Sequence, residues 1–139
     1  MITNSEQETI DLGKDFAKTL QGGEVILLVG DLGAGKTTFV KGVALNFNIK
    51  KHITSPTFVL MKVYQIKNKI KELIHIDTYR GLSFSDLENI GALEYFGRND
   101  TVCFIEWGAS LEKYFKNSKI KVLKVKIKNL DKDKREIKL

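Results

Sequence analysis

Cysteine and proline are almost absent: Cys103 and Pro56 are the only ones in the chain. A lone cysteine excludes a disulfide framework and fits a reducing compartment. It also has no zinc-like spacing to His52 or His75. Arginine is nearly missing as well, confined to Arg80, Arg98 and Arg135, although the net charge is +6. Proteins that read nucleic acids usually use Arg for bidentate contacts. The lysines alternating with apolar residues in KIKVLKVKIK therefore read first as a solvated strand face, since net charge speaks to association and not to fold. No apolar run approaches the roughly 18 residues that span a bilayer. The opening MITNSEQETI is polar and acidic, unlike a secretory signal, so the expected location is the cytoplasm, with no membrane partner. Internal repeats and low-complexity linkers are missing too.

What is present is an ordinary globular composition. The chain has 139 residues, 42% hydrophobic and 29% charged, which bounds it to one domain, 1–139, with a single core. Ser5-Glu6-Gln7-Glu8 has the spacing of a capping box at a helix start. Ile10, Phe16, Ala17 and Leu20 then recur at helical spacing up to Gly22-Gly23. The run 24–29 (EVILLV) reads as a strand buried on both faces, and residues 37–47 as a helix. Residues 57–64 and 70–76 read as a hairpin around Lys67-Asn68-Lys69. Ser83 caps a helix that runs on past Gly91 towards Phe96, and 101–106 (TVCFIE) is another buried strand. A strand at 120–128, a turn at Asp131-Lys132-Asp133 and a strand at 136–139 complete the tail. There the apolar parity flips between Val122 and Leu123, which predicts a β-bulge. Strands alternating with helices give an α/β fold class: a three-layer domain with a mostly parallel sheet plus antiparallel hairpin strands.

The most informative stretch is Gly30-Asp31-Leu32-Gly33-Ala34-Gly35-Lys36-Thr37, which matches G-x-x-x-x-G-K-[ST]. Glycines let successive N–H groups turn around a phosphate without Cβ clashes. The following helix adds the positive end of its dipole. Lys36 would reach the β- and γ-phosphates of a nucleotide, and the Thr37 hydroxyl would ligate Mg²⁺. A buried strand before the motif and a helix after it are the context the motif requires.

Such a loop binds nucleotide but needs a second acid to hydrolyse it well. ELIHID ends at Asp77 and VCFIE at Glu106, and open α/β sheets bind ligands beyond the carboxyl ends of their strands. Glu106, after a wholly apolar run, is the better candidate for the acid facing Mg²⁺. Asp77 is a second metal-shell group or a general base, and a turn cap is the alternative for both. Ser55-Pro56-Thr57 reads equally as a strand-entry turn or as a switch whose Thr57 hydroxyl senses the γ-phosphate. Strand alternation sends the Trp107 side chain opposite to Glu106, towards the core, or else to a partner-facing surface. Cys103 reads as an inert buried thiol.

GDLGAGKTT, SPTF, HIDTYR and IEW, in that order, resemble the TsaE family (older name YjeE), small bacterial P-loop ATPases that help make threonylcarbamoyladenosine in tRNA. The resemblance runs from about Ser5 to Trp107, and the tail matches weakly. It implies that Gly33, Ala34, Gly35, Lys36, Thr37 and Thr38 cradle ATP, with Thr37 and Glu106 at Mg²⁺. It implies a role for Asp77 in hydrolysis and a switch at Ser55, Pro56, Thr57 and Phe58. Tyr79, Arg80 and Trp107 would join the switch and partner surface. The N-terminal Ser5-Glu6 stretch and the final Lys134-Arg135-Glu136 strand would approach the base and sugar, with Glu6 and Lys134 as the residues carried over. The partners it implies are TsaB and TsaD, with direct tRNA contact left open. The chain departs from many relatives at Gly108-Ala109-Ser110, where they carry an acid. Two other readings stand beside this one: a small-molecule kinase, and an RNA- or protein-binding module that a nucleotide stabilises.

Overall fold

A computed structural model describes residues 1–56, 60–78 and 83–139. Its strands are β1 (Ile2–Thr3), β2 (Val25–Val29), β3 (Met61–Gln65), β4 (Glu72–Asp77), β5 (Thr101–Glu106), β6 (Val122–Asn129) and β7 (Arg135–Lys138). Its α-helices are α1 (Glu6–Ala17), α2 (Lys36–Asn46), α3 (Phe84–Asn89) and α4 (Glu112–Phe115). One sheet takes the order β1-β7-β6-β2-β5-β4-β3. The middle four strands β6, β2, β5 and β4 are mutually parallel. Antiparallel partners close both sides, β3 on β4 and β7 on β6, with β1 on β7. This is the expected α/β architecture, a mostly parallel sheet with antiparallel additions.

The sheet is the middle of three layers, which explains its apolar runs. Ile26, Leu28, Val102, Phe104, Val125 and Ile127 pack with Phe16 of α1 and Phe39, Val40 and Val43 of α2. On the opposite face Val25, Leu27, Ile74, Ile76, Cys103 and Ile105 pack with Leu87, Ala92, Leu111 and Phe115. Phe16 meets Phe39 at 5.4 Å and Phe104 at 6.5 Å between ring centroids. Aromatic pairs of this kind add about 1 kcal/mol each beyond area burial.

The same layering removes the bulge expected in the tail. Val25↔Val122 and Ile26↔Leu123 are consecutive register partners, so the ladder runs on unbroken there. Val122 packs on the α3–α4 layer and Leu123 on the α1–α2 layer. With both faces covered, neighbouring apolar residues need no change of register.

Ser83 caps α3 in a full capping box with Asp86. At α1 the Ser5 hydroxyl accepts from the Glu8 amide at 3.1 Å, but Glu8 accepts from the Asn4 amide at 2.7 Å, not from Ser5. The helix from Ser83 stops at Asn89. Gly91 takes φ 80°, and Ala92–Glu94 forms a separate 3₁₀ turn. The short β1 was not foreseen.

Helices α1 and α2 lie against one another through glycines. A Cβ at Gly42 would stand 2.0 Å from the Ile10 carbonyl oxygen, and one at Gly13 would stand 2.2 Å from that of Phe39. Gly42→Ala should therefore destabilise the fold by about 1–3 kcal/mol through overpacking, read as a lowered urea midpoint. An unchanged midpoint would show that the helices do not make this contact. Burial pushes the Cys103 thiol up to about 12, and the thiolate is the reactive form. Ellman's reagent at pH 8 should thus leave Cys103 unmodified until denaturant is added, and rapid labelling of folded protein would contradict its placement.

Candidate functional site

Residues 30–35 link β2 to α2, and the loop turns by left-handed backbone at Gly33 (φ 75°) and Gly35 (φ 107°), which suits residues lacking Cβ. Gly35 is the N-cap of α2 and has no side chain to satisfy the first helical amides. Those amides and the helix dipole therefore point at a cleft of about 300 Å³. Gly33, Gly35, Lys36, Thr37 and Thr38 line it from the loop side. Ser55, Asp77, Glu106 and Trp107 line it from the sheet edge, and Arg135 from β7. A larger hollow of about 480 Å³ at the end of α2, which includes Lys41 and His52, contains none of these acids. Chemistry, not size, picks out the loop cleft.

Parallel register puts the acids together. Asp77 ends β4 and Glu106 ends β5 as direct partners across the ladder, so both project from the same face. Thr37 Oγ1 donates to Glu106 Oε1 at 2.7 Å, joining the loop helix to the strand end. His75 Nε2 lies 2.8 Å from that same oxygen. Ser55 Oγ donates to Asp77 Oδ2 at 2.5 Å. The Thr78 hydroxyl donates to the carbonyls of Glu106 and Trp107, pinning the backbone where β5 ends.

Lys36 is 4% exposed and donates from Nζ to the carbonyls of Gly30 and Asp31, at 2.7 and 2.8 Å. Its ammonium also lies 4.1 Å from the centre of the Trp107 ring. Burial holds the Lys36 pKa below the usual lysine value, with Glu106, Asp77 and Asp31 opposing that shift. Arg135 supplies a second cation. Its Nε and Nη1 are buried without a hydrogen-bond partner among the described residues, and Nε would meet a Cβ at Gly35 at 3.0 Å.

The site differs from the sequence expectations in several places. Trp107 does not turn into the core. It leaves the strand in left-handed backbone (φ 63°), which breaks the alternation and brings the ring into the cleft. Following it, Gly108 packs against Leu27, where a Cβ would come within 2.8 Å of Cδ2. The structure does not bring Glu6 or Lys134 to the cleft lining. Glu6 is exposed and lies 3.7 Å from Lys41, while Lys134 is exposed and its backbone closes the turn with Leu130 and Asp131. Of the expected Lys134-Arg135-Glu136 strand, it is Arg135 that lines the cleft. Ala34 and Pro56 are buried and outside the lining, and the Ala34 amide is bonded to the Asp31 carbonyl. Thr57, Phe58, Tyr79 and Arg80 lie outside the described residues. Sequence reasoning passed over His75, whose signal was its place two residues before Asp77 on the same strand face.

Among the described residues no group of three His, Cys, Asp or Glu side chains could hold a metal by itself. The hydroxyl–carboxylate pair Thr37–Glu106 nonetheless fits Mg²⁺, which takes hard oxygen donors and usually binds through one or two protein groups plus phosphate oxygens. Left-handed glycines, two cations and a helix N-terminus fit the phosphates that would accompany it. Among the described residues no helix is long and apolar enough to cross a membrane.

A family model described as "Threonylcarbamoyl adenosine biosynthesis protein TsaE" matches residues 3–137, so the likeness includes the tail that the four motifs left weak. The tRNA threonylcarbamoyladenosine biosynthesis protein TsaE of Treponema pallidum is 44% identical over 108 residues, 77% of this chain and 76% of that protein. The protein of the same name from Aquifex aeolicus is 38% identical over 141 residues, 100% of this chain and 93% of that protein. The crystal structure of YdiB from Bacillus subtilis superposes with a TM-score of 0.73 at 32% identity, covering 99% of this chain and 80% of that one. The chain belongs to the TsaE family.

Proposed function

We propose that this chain is a Mg²⁺-dependent, ATP-binding and ATP-hydrolysing subunit that supports threonylcarbamoyladenosine formation in tRNA. It would act in the cytoplasm through a complex of TsaB and TsaD. The observation that carries the reading is the 2.7 Å contact between Thr37 and Glu106. It joins the hydroxyl of a phosphate-binding loop to an acid 69 residues away, at the carboxyl edge of a parallel sheet.

Each residue has a task that follows from its chemistry. The loop amides and Lys36 would hold the phosphates, and Lys36 would exchange its bonds to Gly30 and Asp31 for stronger charge-assisted ones. Thr37 and Glu106 would hold Mg²⁺, which when bound supplies charge neutralisation to the phosphates. Asp77, beside Glu106 and bonded to Ser55, would orient or deprotonate the attacking water. Among the described residues the cleft is lined by the loop, Ser55, the acid-bearing strand ends with Trp107, and Arg135, a setting that favours a nucleotide-timed switch over a small-molecule kinase. In the switch reading, the phosphate state alters a surface that the partners feel.

Lys36→Ala, Asp77→Ala and Glu106→Ala should each lower hydrolysis on the order of 100-fold while circular dichroism stays native. Phosphate release would be measured with TsaB and TsaD present, and near-normal turnover in all three would overturn the assignment. Radiolabelled phosphate appearing on an added nucleoside or acid instead of in water would favour the kinase. Trp107 is the only tryptophan, so its emission should change when Mg·ATP draws Lys36 from the ring. Lys36→Ala should abolish that change. An unaltered spectrum at nucleotide saturation, with binding verified by calorimetry, would contradict the Lys36–Trp107 contact.

A further inference from the structure

His75 is fully buried in β4, on the face that carries Asp77 two residues later. Among the described residues its one hydrogen-bond partner is Glu106 Oε1, at 2.8 Å from Nε2, and the buried Nδ1 has none. A carboxylate can only accept, so the imidazole donates and its proton lies on Nε2. A histidine serving only to knit the core would be expected to use both nitrogens, since unpaired buried polar atoms are costly. Here the polarity of the ring is directed wholly at one oxygen of one acid.

That oxygen is also the acceptor for Thr37 Oγ1. The terminal torsion of a glutamate is soft and broad, so a single hydroxyl would not fix the carboxylate plane. A hydroxyl called upon to face a metal also turns away from its old partner. The imidazole is fully buried on β4 and has no metal to turn towards. We propose that His75 is a positioning residue for Glu106, keeping Oε1 turned towards Thr37 so that the carboxylate meets the nucleotide's Mg²⁺ in one orientation. The inference rests on the Mg²⁺–nucleotide reading above and assigns a role to a side chain that reading does not use. Partners that orient metal ligands in this way are commonly worth 10- to 100-fold in metal affinity or activity.

The test compares ADP affinity in Mg²⁺ and in EDTA, by calorimetry, for wild type, His75→Leu and His75→Gln. His75→Leu should leave the EDTA affinity unchanged and lower the Mg²⁺-dependent gain about 10-fold. His75→Gln, whose amide can donate, should recover part of that gain. A folded His75→Leu chain that keeps the full gain would overturn the proposal, as would equal losses with and without metal. Nitrogen-15 spectroscopy of the ligand-free wild type gives a readout independent of the variants and of nucleotide. A His75 Nε2–H signal that moves in Glu106→Gln supports the contact, and its absence overturns it. Should wild type bind no ADP at all, the nucleotide reading fails and the ring signal alone decides the His75–Glu106 contact.

Discussion

Strand β5 is held between two parallel neighbours, β2 on one side and β4 on the other, and the site depends on that double pairing. Parallel strands finish at the same edge of a sheet. The phosphate loop leaves β2 there, Asp77 ends β4 there, and Glu106 ends β5 there. Every residue of β5 is buried, so its register is specified by two apolar layers at once. A slip of one residue would send Phe104 into the wrong layer and turn Glu106 to the opposite face. The core therefore fixes the position of the acid. Its hydrogen bonds to Thr37 and His75 only orient its carboxylate.

The parts of this arrangement legible in the sequence are those governed by local rules. The loop motif and the TVCFIE strand could be read directly, because glycine spacing and an unbroken apolar run each have one common structural meaning. Ser83 could be read as a cap for the same reason. Other features depend on contacts that spacing cannot express. Trp107 was assigned by strand alternation, but the strand stops at Glu106 and the backbone turns left-handed, which no pattern in IEWG announces. The parity change at Val122–Leu123 suggested a bulge because one face of the strand was assumed to be wet. β1 is only two residues long, Ile2–Thr3, and exists because β7 offers it an edge. His75 was visible only as a polar residue in an apolar run. Its meaning required knowing that β4 lies beside β5.

Charge in the cleft is arranged by opposing costs. Lys36 is nearly buried, and burial alone disfavours its ammonium. Two backbone carbonyls, the Trp107 face and the nearby acids Glu106, Asp77 and Asp31 offset that cost. These contacts keep the cation in place without an ion pair of fixed geometry. A carbonyl is a weaker partner for an ammonium than a phosphate oxygen is. The lysine is thus stabilised enough to fold and remains available to a more negative ligand.

The antiparallel addition β7, paired to β6, gives the cleft its second side. β4 and β5 bring acids to one flank of the phosphate loop, while β7 brings Arg135 to the other, against Gly35. The loop lies between a wall suited to a cation and a wall suited to an anion. A nucleotide carrying Mg²⁺ is itself polarised, with its metal at the far phosphates. Electrostatics alone would favour the metal end against Glu106 and the nearer phosphate or sugar against Arg135. Arg135 Nε and Nη1, buried without a partner among the described residues, would gain most from that orientation. The tail is accordingly part of the site's wall through Arg135, which a likeness confined to residues before Trp107 would have missed.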